Sequence, residues 1–254
     1  MSDKNYIKKF WVGLMDGDGS IQVNHWRKKY LQYRLVLKLK ETKKNYYLLH
    51  LIKEEIGGKI RKIKSKNKFF ILWVVDSKKT VINIIKIFDL YPPLTFRMQA
   101  QLKFLKDNII RQNNNNSNNI YYYLKERTNK YKSFISKELE IDYNYFYEWL
   151  SGFIEAEGCF CVRKSKNNSF SIGQNTDKDL LTFIKFYLGV TSKLRSFKKE
   201  KQTFFVFETY NKNSFQIILN HFAKYPLLGE KLISFNTFKL QEEKKVSCSL
   251  ATMK

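Results

Sequence analysis

Apolar and polar positions follow one another along this chain in two alternating periods. Residues 6–17 are apolar at helical spacing and end at a glycine, which predicts a helix. In residues 30–40, every second position from Tyr33 onwards is apolar, and the positions between them include Arg34 and Lys38. This alternation is typical of a strand with one face towards a core and the other towards solvent.

The same two periods predict an ordered set of elements in each half of the chain. In the first half we predict helix 6–17, strands 20–26 and 30–40, helix 45–56, strands 59–64 and 68–75, and helices 80–88 and 94–108. In the second half, after a helix, we predict strands 159–164 and 169–174, helix 179–188, strands 193–197 and 203–209, and helices 214–222 and 230–241. The predicted fold class is α+β, with two αββαββα repeats that each contain a four-stranded antiparallel sheet.

Two pairs of matching segments indicate that the halves are copies of one unit. Residues 10–19 have the sequence FWVGLMDGDG and residues 149–158 the sequence WLSGFIEAEG. Further along, residues 85–97 (IKIFDLYPPLTFR) match residues 219–231 (LNHFAKYPLLGEK). A single match could arise by chance, whereas two matches in the same order indicate a duplication.

A polar segment separates the two copies. Residues 111–119 have the sequence RQNNNNSNN and no apolar period, which predicts a flexible linker or loop. Residues up to 142 mix Tyr, Lys and Glu, and we expect them to cross over one face of the protein. The predicted organisation is a first copy at 1–110, a linker at 111–142 and a second copy at 143–254.

The charge of the chain indicates an anionic partner. Its 254 residues include 47 Lys and Arg against 23 Asp and Glu, a formal net charge of +24. Nucleic acid is favoured over a membrane surface because the basic residues run through the whole chain, and no apolar run approaches about 18 residues. Charge alone leaves open the alternative of a generally solubilised surface.

Cysteine and histidine usage excludes several kinds of site. The three cysteines have no metal-ligand spacing, which predicts free thiols and a reducing compartment. His25, His50 and His221 are scattered, which argues against a zinc site or a histidine-based hydrolase.

The acidic residues of the repeated segment are candidates for metal chemistry. Glycines at positions 13 and 152 allow two helices to pack closely, and such packing on a pseudo-two-fold axis would bring Asp18 and Glu157 together. Neighbouring carboxylates repel unless a divalent cation lies between them, and magnesium needs only one or two protein carboxylates. This predicts a shared-metal or two-metal phosphodiesterase site. The alternative is that the acids only cap helix ends, although carboxylates at a helix C-terminus oppose its dipole. We expect Asp16 and Glu155 to be structural.

FWVGLMDGDG and WLSGFIEAEG resemble the paired signature motifs of single-chain LAGLIDADG homing endonucleases, especially those encoded in organellar introns. The resemblance covers nearly the whole chain. It implies two sheets that form a DNA-binding saddle, a monomer, and site-specific cleavage of both strands across the minor groove to leave 3′ overhangs. It also implies Mg²⁺ or Mn²⁺ as cofactor.

The resemblance assigns roles to individual residues. The last acid of each motif implies Asp18 and Glu157 as metal ligands. Coordination by the carbonyls of Gly17 and Ala156 is also implied. Basic residues at the start of each copy's last helix correspond to Arg97 and Lys231, and Gln174 resembles a polar residue that orients active-site water. In the first copy we expect Glu41 at the position of Gln174. Arg97 departs from the lysine often found there, so a phosphate-positioning or solvated arginine is an equal alternative.

Outward residues of the predicted strands should contact DNA, since Arg and Lys suit guanine edges and Gln and Asn suit adenine. An ordinary solvated sheet face is the alternative for any one of them. The candidates are Ser20, Gln22, Asn24, Trp26, Arg34, Lys38, Lys40, Arg61, Lys62, Lys64, Arg163, Lys164, Ser169, Ser171, Lys193, Arg195 and Lys198.

Three functions remain open at this point: an active homing nuclease, an RNA maturase that assists splicing of its host intron, and an inactive DNA-binding regulator. The acids argue against the regulator, because an inactive copy has no need of both Asp18 and Glu157. The Lys- and Asn-rich composition suits an AT-rich organellar genome and therefore a mitochondrial location.

Overall fold

The chain is described here by a computed structural model, which covers residues 4–113, 119–132, 139–163, 167–199 and 202–251. Its contacts divide it into two compact units, Met1–Gly152 (the first unit) and Phe153–Lys254 (the second unit). Among the described helices, none is long and apolar enough to cross a membrane.

The first unit contains one four-stranded antiparallel sheet and its helices. The elements are α1 (Lys4–Asp18), β1 (Gly19–Trp26), β2 (Tyr30–Lys40), α2 (Lys43–Ile56), β3 (Lys59–Ser65), β4 (Lys68–Val75), α3 (Lys78–Leu90), α4 (Phe96–Asn113) and α5 (Asn119–Glu126). The strand order is β1-β2-β4-β3, so each hairpin stays paired and β2 and β4 form the centre of the sheet.

The second unit repeats this order. Helix α6 (Tyr143–Glu157) begins in the first unit and ends in the second. The elements that follow are β5 (Gly158–Cys161), β6 (Ser169–Asn175), α7 (Lys178–Tyr187), β7 (Arg195–Lys199), β8 (Gln202–Thr209), α8 (Lys212–Lys224) and α9 (Lys231–Ala251). The strand order is β5-β6-β8-β7. The predicted α+β class with two four-stranded antiparallel sheets is confirmed.

The two helices predicted after each second hairpin are present, so the repeat is αββαββαα and the label αββαββα counted one helix too few. Two details differ from the prediction. Helix α5 lies within the predicted linker, where its buried Tyr123 packs against His25 and Phe104. Strand β7 begins at Arg195 instead of residue 193, because the hydroxyl of Ser192 already donates to the carbonyl of Glu208 (2.6 Å), where a longer strand would pair.

The part of α6 that belongs to the first unit packs tightly on α1. A Cβ atom on Gly152 would overlap the carbonyl oxygen of Phe10, so only glycine allows this approach. Lys9 of α1 donates to the carbonyl of Asn144 (2.6 Å) and pairs with Glu148 (3.0 Å). The close helix approach predicted for Gly152 is therefore confirmed within this unit.

Because of His221, the free energy of unfolding is expected to decrease as the pH drops below about 6.5. The His221 ring is buried in the second unit, with Nδ1 3.0 Å from the Tyr187 hydroxyl, and burial lowers its pKa to about 3. An unfolded histidine has a pKa near ~6.5. Between these two values the unfolded chain binds more protons, so acidification favours unfolding.

His221→Phe should remove this dependence, which urea titrations at pH 7 and pH 5 can measure by far-UV circular dichroism. Asp16 acts in the opposite direction, because burial raises its pKa to about 6. The quantity to compare is therefore the free energy of unfolding of the wild type minus that of the variant. This difference is expected to change by up to about 1.4 kcal/mol per pH unit. Parallel pH profiles of the two proteins would contradict the prediction.

Candidate functional site

The first acid of the repeated segment is buried and fully used for structure. In the first unit, Asp16 accepts hydrogen bonds from the backbone N–H groups of Leu94 (2.8 Å) and Thr95 (3.2 Å) and from the Thr95 hydroxyl (2.5 Å). The indole N–H of Trp149 donates a fourth at 2.7 Å. These contacts fix the start of α4, and the expected structural role of Asp16 is confirmed.

Glu155 makes the corresponding contacts in the second unit. Its carboxylate accepts from the backbone N–H groups of Gly229 (3.0 Å) and Lys231 (2.8 Å), at the start of α9. Burial raises the pKa of Glu155, as it does for Asp16. The first acid of each copy therefore holds the last helix of its own unit, as expected.

The second acid of each copy ends a helix directly before the first strand of its sheet. Asp18 is the exposed last residue of α1, and Glu157 is the half-buried last residue of α6. Gln174 of β6 donates through Nε2 to Glu157 Oε1 at 3.3 Å. Both acids thus lie where a ligand can reach them, unlike Asp16 and Glu155.

The donors beside these acids suit a hard divalent cation. Each carboxylate follows a half-buried residue, Gly17 or Ala156. The Gly17 carbonyl already accepts a hydrogen bond from Arg97 (2.9 Å), so of the two expected carbonyl ligands only that of Ala156 is retained. Among the residues that the structure describes, no group of three His, Cys, Asp or Glu side chains gathers into a metal site. A cation at either helix end would therefore complete its coordination with water and substrate oxygens, as Mg²⁺ readily does.

Arg97 caps the end of α1, a role that the sequence did not reveal. One of its terminal nitrogens donates to the carbonyl of Gly19 (2.5 Å) and the other to those of Asp16 (2.7 Å) and Gly17 (2.9 Å). The last carbonyls of a helix have no partner within it, and a cation there also favours the dipole. Arg97 thus offsets the unfavourable placement of acids at this helix end.

Arg97→Met is expected to lower the unfolding free energy by about 2 kcal/mol, since charge-assisted hydrogen bonds to three carbonyls are lost. Arg97→Lys should restore only part, because one ammonium cannot reach all three acceptors. Tryptophan fluorescence in urea measures this well, as all four tryptophans lie in the first unit. Lys103→Met, which breaks only an exposed pair with Asp107, is the control; an equal effect of both variants would contradict the cap.

The counterpart of Gln174 in the first copy is Leu39, which corrects the expected Glu41. Gly19 pairs with Leu37 and Gly158 with Ile172, so the residues two positions further on, Leu39 and Gln174, are equivalent. Leu39 is buried, and Glu41 lies beyond β2 with its carboxylate 2.6 Å from Lys62 Nζ. The first copy has an apolar side chain where the second has an amide.

One face of the first sheet, called its polar face below, carries most of the charged and amide side chains, as the alternation predicted, together with apolar residues such as Val36, Leu72 and Val74. The pairing register places these candidates together on it: Ser20, Gln22, Asn24, Trp26, Arg34, Lys38, Lys40 and Arg61. The same face includes residues that were not singled out, although the alternation in the sequence indicated them: Tyr30, Gln32, Lys59 and Lys68.

Lys62 and Lys64 require a correction, because they lie on the opposite face. Successive residues of a strand point to opposite sides, and Arg61 already occupies the polar face. Lys62 pairs with Glu41, and Lys64 lies 5.6 Å from the centre of the Phe69 ring.

The second sheet also has one polar face, which includes Ser171 and Arg195. Ser169 has the same orientation, but it is buried (1% exposed) and hydrogen-bonds to Glu208, so it is not open to DNA as expected. Arg163 follows β5 and pairs with Glu208 of this face (3.3 Å). Lys198 lies on the opposite face, for the same reason as Lys62, and the exposed Lys193 precedes β7. Lys164 lies outside the described residues. Gln174 also lies on the helix-covered face, where it reaches Glu157.

Comparison with a sequence model of the LAGLIDADG endonuclease family gives matches at residues 11–108 and 150–241, one in each copy. These segments include both acidic motifs and the start of each last helix.

Similar proteins cover nearly the same length. The probable intron-encoded endonuclease aI3 of Dictyostelium citrinum is 49% identical over 93% of this chain and 96% of its own length. The protein of the same name in Dictyostelium discoideum is 44% identical over 94% and 98%. Among solved structures, the LAGLIDADG homing endonuclease I-GzeII in complex with its DNA target matches with a TM-score of 0.74 at 22% identity, over 95% of this chain and 91% of that one.

Proposed function

Because this chain belongs to the LAGLIDADG endonuclease family, we propose that it is a site-specific endonuclease that hydrolyses both strands of a long DNA duplex. The observation that supports this proposal is that the two acids of each copy have different surroundings. In each copy the first acid is buried and hydrogen-bonded to the start of the last helix, whereas the second, Asp18 or Glu157, ends a helix at an accessible position. An inactive binding protein would not need the second acid twice.

Binding to DNA is supported by charge and by the two polar faces. The net charge of +24 favours a polyanion, and the polar faces offer Arg, Lys, Gln and Asn side chains suited to base edges. We propose that each sheet contacts one half of the target in the major groove. A single chain with two copies supplies both halves, so the protein is proposed to act as a monomer.

We propose a chemical role for each of the following residues. Asp18 and Glu157, with the carbonyl of Ala156, would hold divalent cations, for which Mg²⁺ or Mn²⁺ is proposed. Such a cation lowers the pKa of a bound water and stabilises charge on phosphate oxygens. Gln174 orients the Glu157 carboxylate, and Lys231 is proposed to stabilise charge beside the phosphate.

Hydrolysis at each strand adds one water to phosphorus and breaks one P–O bond, and the leaving oxygen takes up a proton. We propose that each copy cuts one strand, across the minor groove, and leaves 3′ overhangs. Arg97 is assigned to charge stabilisation and positioning only, because its guanidinium is held by the carbonyls of Asp16 and Gly17.

The intron-encoded relatives support a role in intron homing and an organellar gene, for which we propose a mitochondrial location. Assistance to splicing through host intron RNA is the alternative function, and the basic surface suits either nucleic acid. The named relatives are endonucleases, so DNA cleavage is the function proposed here.

The decisive experiment is selection of cleavable duplexes from a random library in the presence of Mg²⁺. We expect one family of related targets to be enriched, each cut on both strands, and no cleavage after chelation by EDTA. A folded protein that enriches no duplex, or that binds a structured intron RNA while cutting no DNA, would contradict the proposal.

A further inference from the structure

The two sheets carry an arginine at equivalent positions of their third strand in chain order. Arg61 of β3 pairs with Leu72, and Arg195 of β7 pairs with Val206. Leu72 and Val206 correspond to each other, because the residues that follow them pair with the equivalent positions of β2 and β6. Both arginines lie on the polar face of their own sheet.

Each of these arginines is held by a carboxylate. Arg61 Nη2 lies 3.2 Å from Asp76 Oδ2, and Arg195 Nη2 lies 3.3 Å from Glu208 Oε2. The acids are not equivalent: Glu208 occupies the position of Val74, and Asp76 follows β4 at the position of Tyr210. The arrangement therefore recurs although the residues that build it differ.

An acid on a face that meets DNA has a cost, because it repels phosphate. Within the eight strands that the structure describes, Glu208 is the single acidic residue. Asp76, with 41% of its side chain exposed, forms ion pairs of the exposed kind that contribute little to stability. Glu208 is less exposed, at 21%, and also accepts hydrogen bonds from the hydroxyls of Ser169 and Tyr210, which fix its carboxylate. Arg195 and Arg61 remain about half exposed, at 54% and 48% of their side chains, while the acids hold them.

An arginine side chain that an acid already holds in place loses less conformational entropy when it binds a ligand. A free arginine side chain has about 2 kcal/mol of rotamer entropy to lose on binding. Glu208 uses one oxygen for Arg195 and the other for Arg163, so each guanidinium keeps further N–H groups for a ligand. Two parallel N–H donors match the O6 and N7 acceptors of guanine in the major groove.

We propose that Arg61 and Arg195 each recognise a guanine, and that Asp76 and Glu208 are positioning residues that fix the two guanidinium groups for this contact. The inference rests on the proposed function and specifies what each sheet recognises. Because the arginines occupy equivalent positions, the two guanines occupy equivalent positions of the two half-sites. In the first unit, Asn24 and Gln32 line the same cavity of about 350 Å³ as Arg61 and Asp76.

The test measures binding of the selected duplex and of its complete set of single base-pair variants, without divalent cation, to wild type, Arg195→Lys and Glu208→Gln. Wild type should prefer guanine at one position of the half-site by roughly 10- to 100-fold. Arg195→Lys keeps the charge but loses the two-pronged contact, so this preference should fall to a few-fold. Glu208→Gln should weaken the preference at the same base pair and at no distant one. Arg61→Lys and Asp76→Asn should do the same in the other half-site.

Glu243→Gln is the matched control, because it makes the same charge change on α9, where the acid pairs with exposed Lys239. It should raise affinity for all duplexes alike and leave every preference unchanged. The inference is overturned if Glu208→Gln behaves like this control. It is also overturned if Glu208→Gln removes a cytosine preference that Arg195→Lys leaves intact, which would mean that the acid contacts the base itself. If wild type selects no target at all, the proposed function fails; if it selects one whose preferences ignore these residues, only this inference fails.

Discussion

Asp18→Asn and Glu157→Gln are each expected to abolish double-strand cleavage while duplex binding persists. Each change removes a proposed metal ligand and keeps the shape of the side chain. Loss of a preorganised charge-stabilising group at a reaction centre lowers the rate on the order of a thousandfold. Binding should persist, because the polar faces of the sheets are untouched and one negative charge near phosphate is removed.

A supercoiled plasmid that carries the selected target measures both strands at once, since a nick and a linear product migrate differently. Asp107→Asn, an exposed acid paired only with Lys103, is the control and should cut like wild type. Linear product at the full wild-type rate from either Asp18→Asn or Glu157→Gln would refute the assigned roles. Equal loss of binding and cleavage would instead show that the carboxylate serves folding or affinity.

Gly152→Ala is expected to destabilise the protein by about 3 kcal/mol, at the upper end of the usual cost of overpacking. The added methyl group would overlap the carbonyl oxygen of Phe10, a backbone atom of α1 that has no rotamer to change. Alanine favours a helix more than glycine does, by up to ~1 kcal/mol, so the loss arises in spite of propensity.

Gly173→Ala provides the comparison for this steric argument. A Cβ there meets the Phe204 ring, a side chain that can rotate away, so the expected loss is about 1 kcal/mol or less. Thermal melting followed by far-UV circular dichroism suits both variants. If Gly152→Ala melts at the wild-type temperature, α6 does not approach α1 as closely as described.

The sequence predicted the order of elements because helix and strand periods differ and each copy repeats them. It also separated the structural acids Asp16 and Glu155 from Asp18 and Glu157, because the placement of acids at a helix end recurs in both copies. The predictions from sequence were wrong where residues were grouped by their position along the chain and the pairing of the strands was not known. Lys62 and Lys64 were grouped with Arg61 although neighbours on a strand face opposite ways, and Glu41 was matched to Gln174 without knowledge of the register.

Contacts made only in the folded chain could not be predicted. The cap that Arg97 places on α1 joins residues about 80 positions apart, and no local pattern indicates it. The short helix α5 was not predicted, because eight residues are too few to establish a helical period. The tertiary packing of the buried Tyr123 side chain stabilises it. The proposed metal chemistry of Asp18 and Glu157 stays a prediction until the variants are measured.

The hydrogen bond from Trp149 to Asp16 has a consequence for recombination of halves from different relatives. A crossover in the segment 111–142 would place a foreign α6 against the resident α1, and the donor to Asp16 and the glycine beside Phe10 would have to be supplied by the incoming sequence. A crossover after Gly152 keeps both contacts within one parent. Chimeric proteins joined inside α6 should therefore fold more often than those joined in the connecting segment, and the choice of junction becomes a design variable for new specificities.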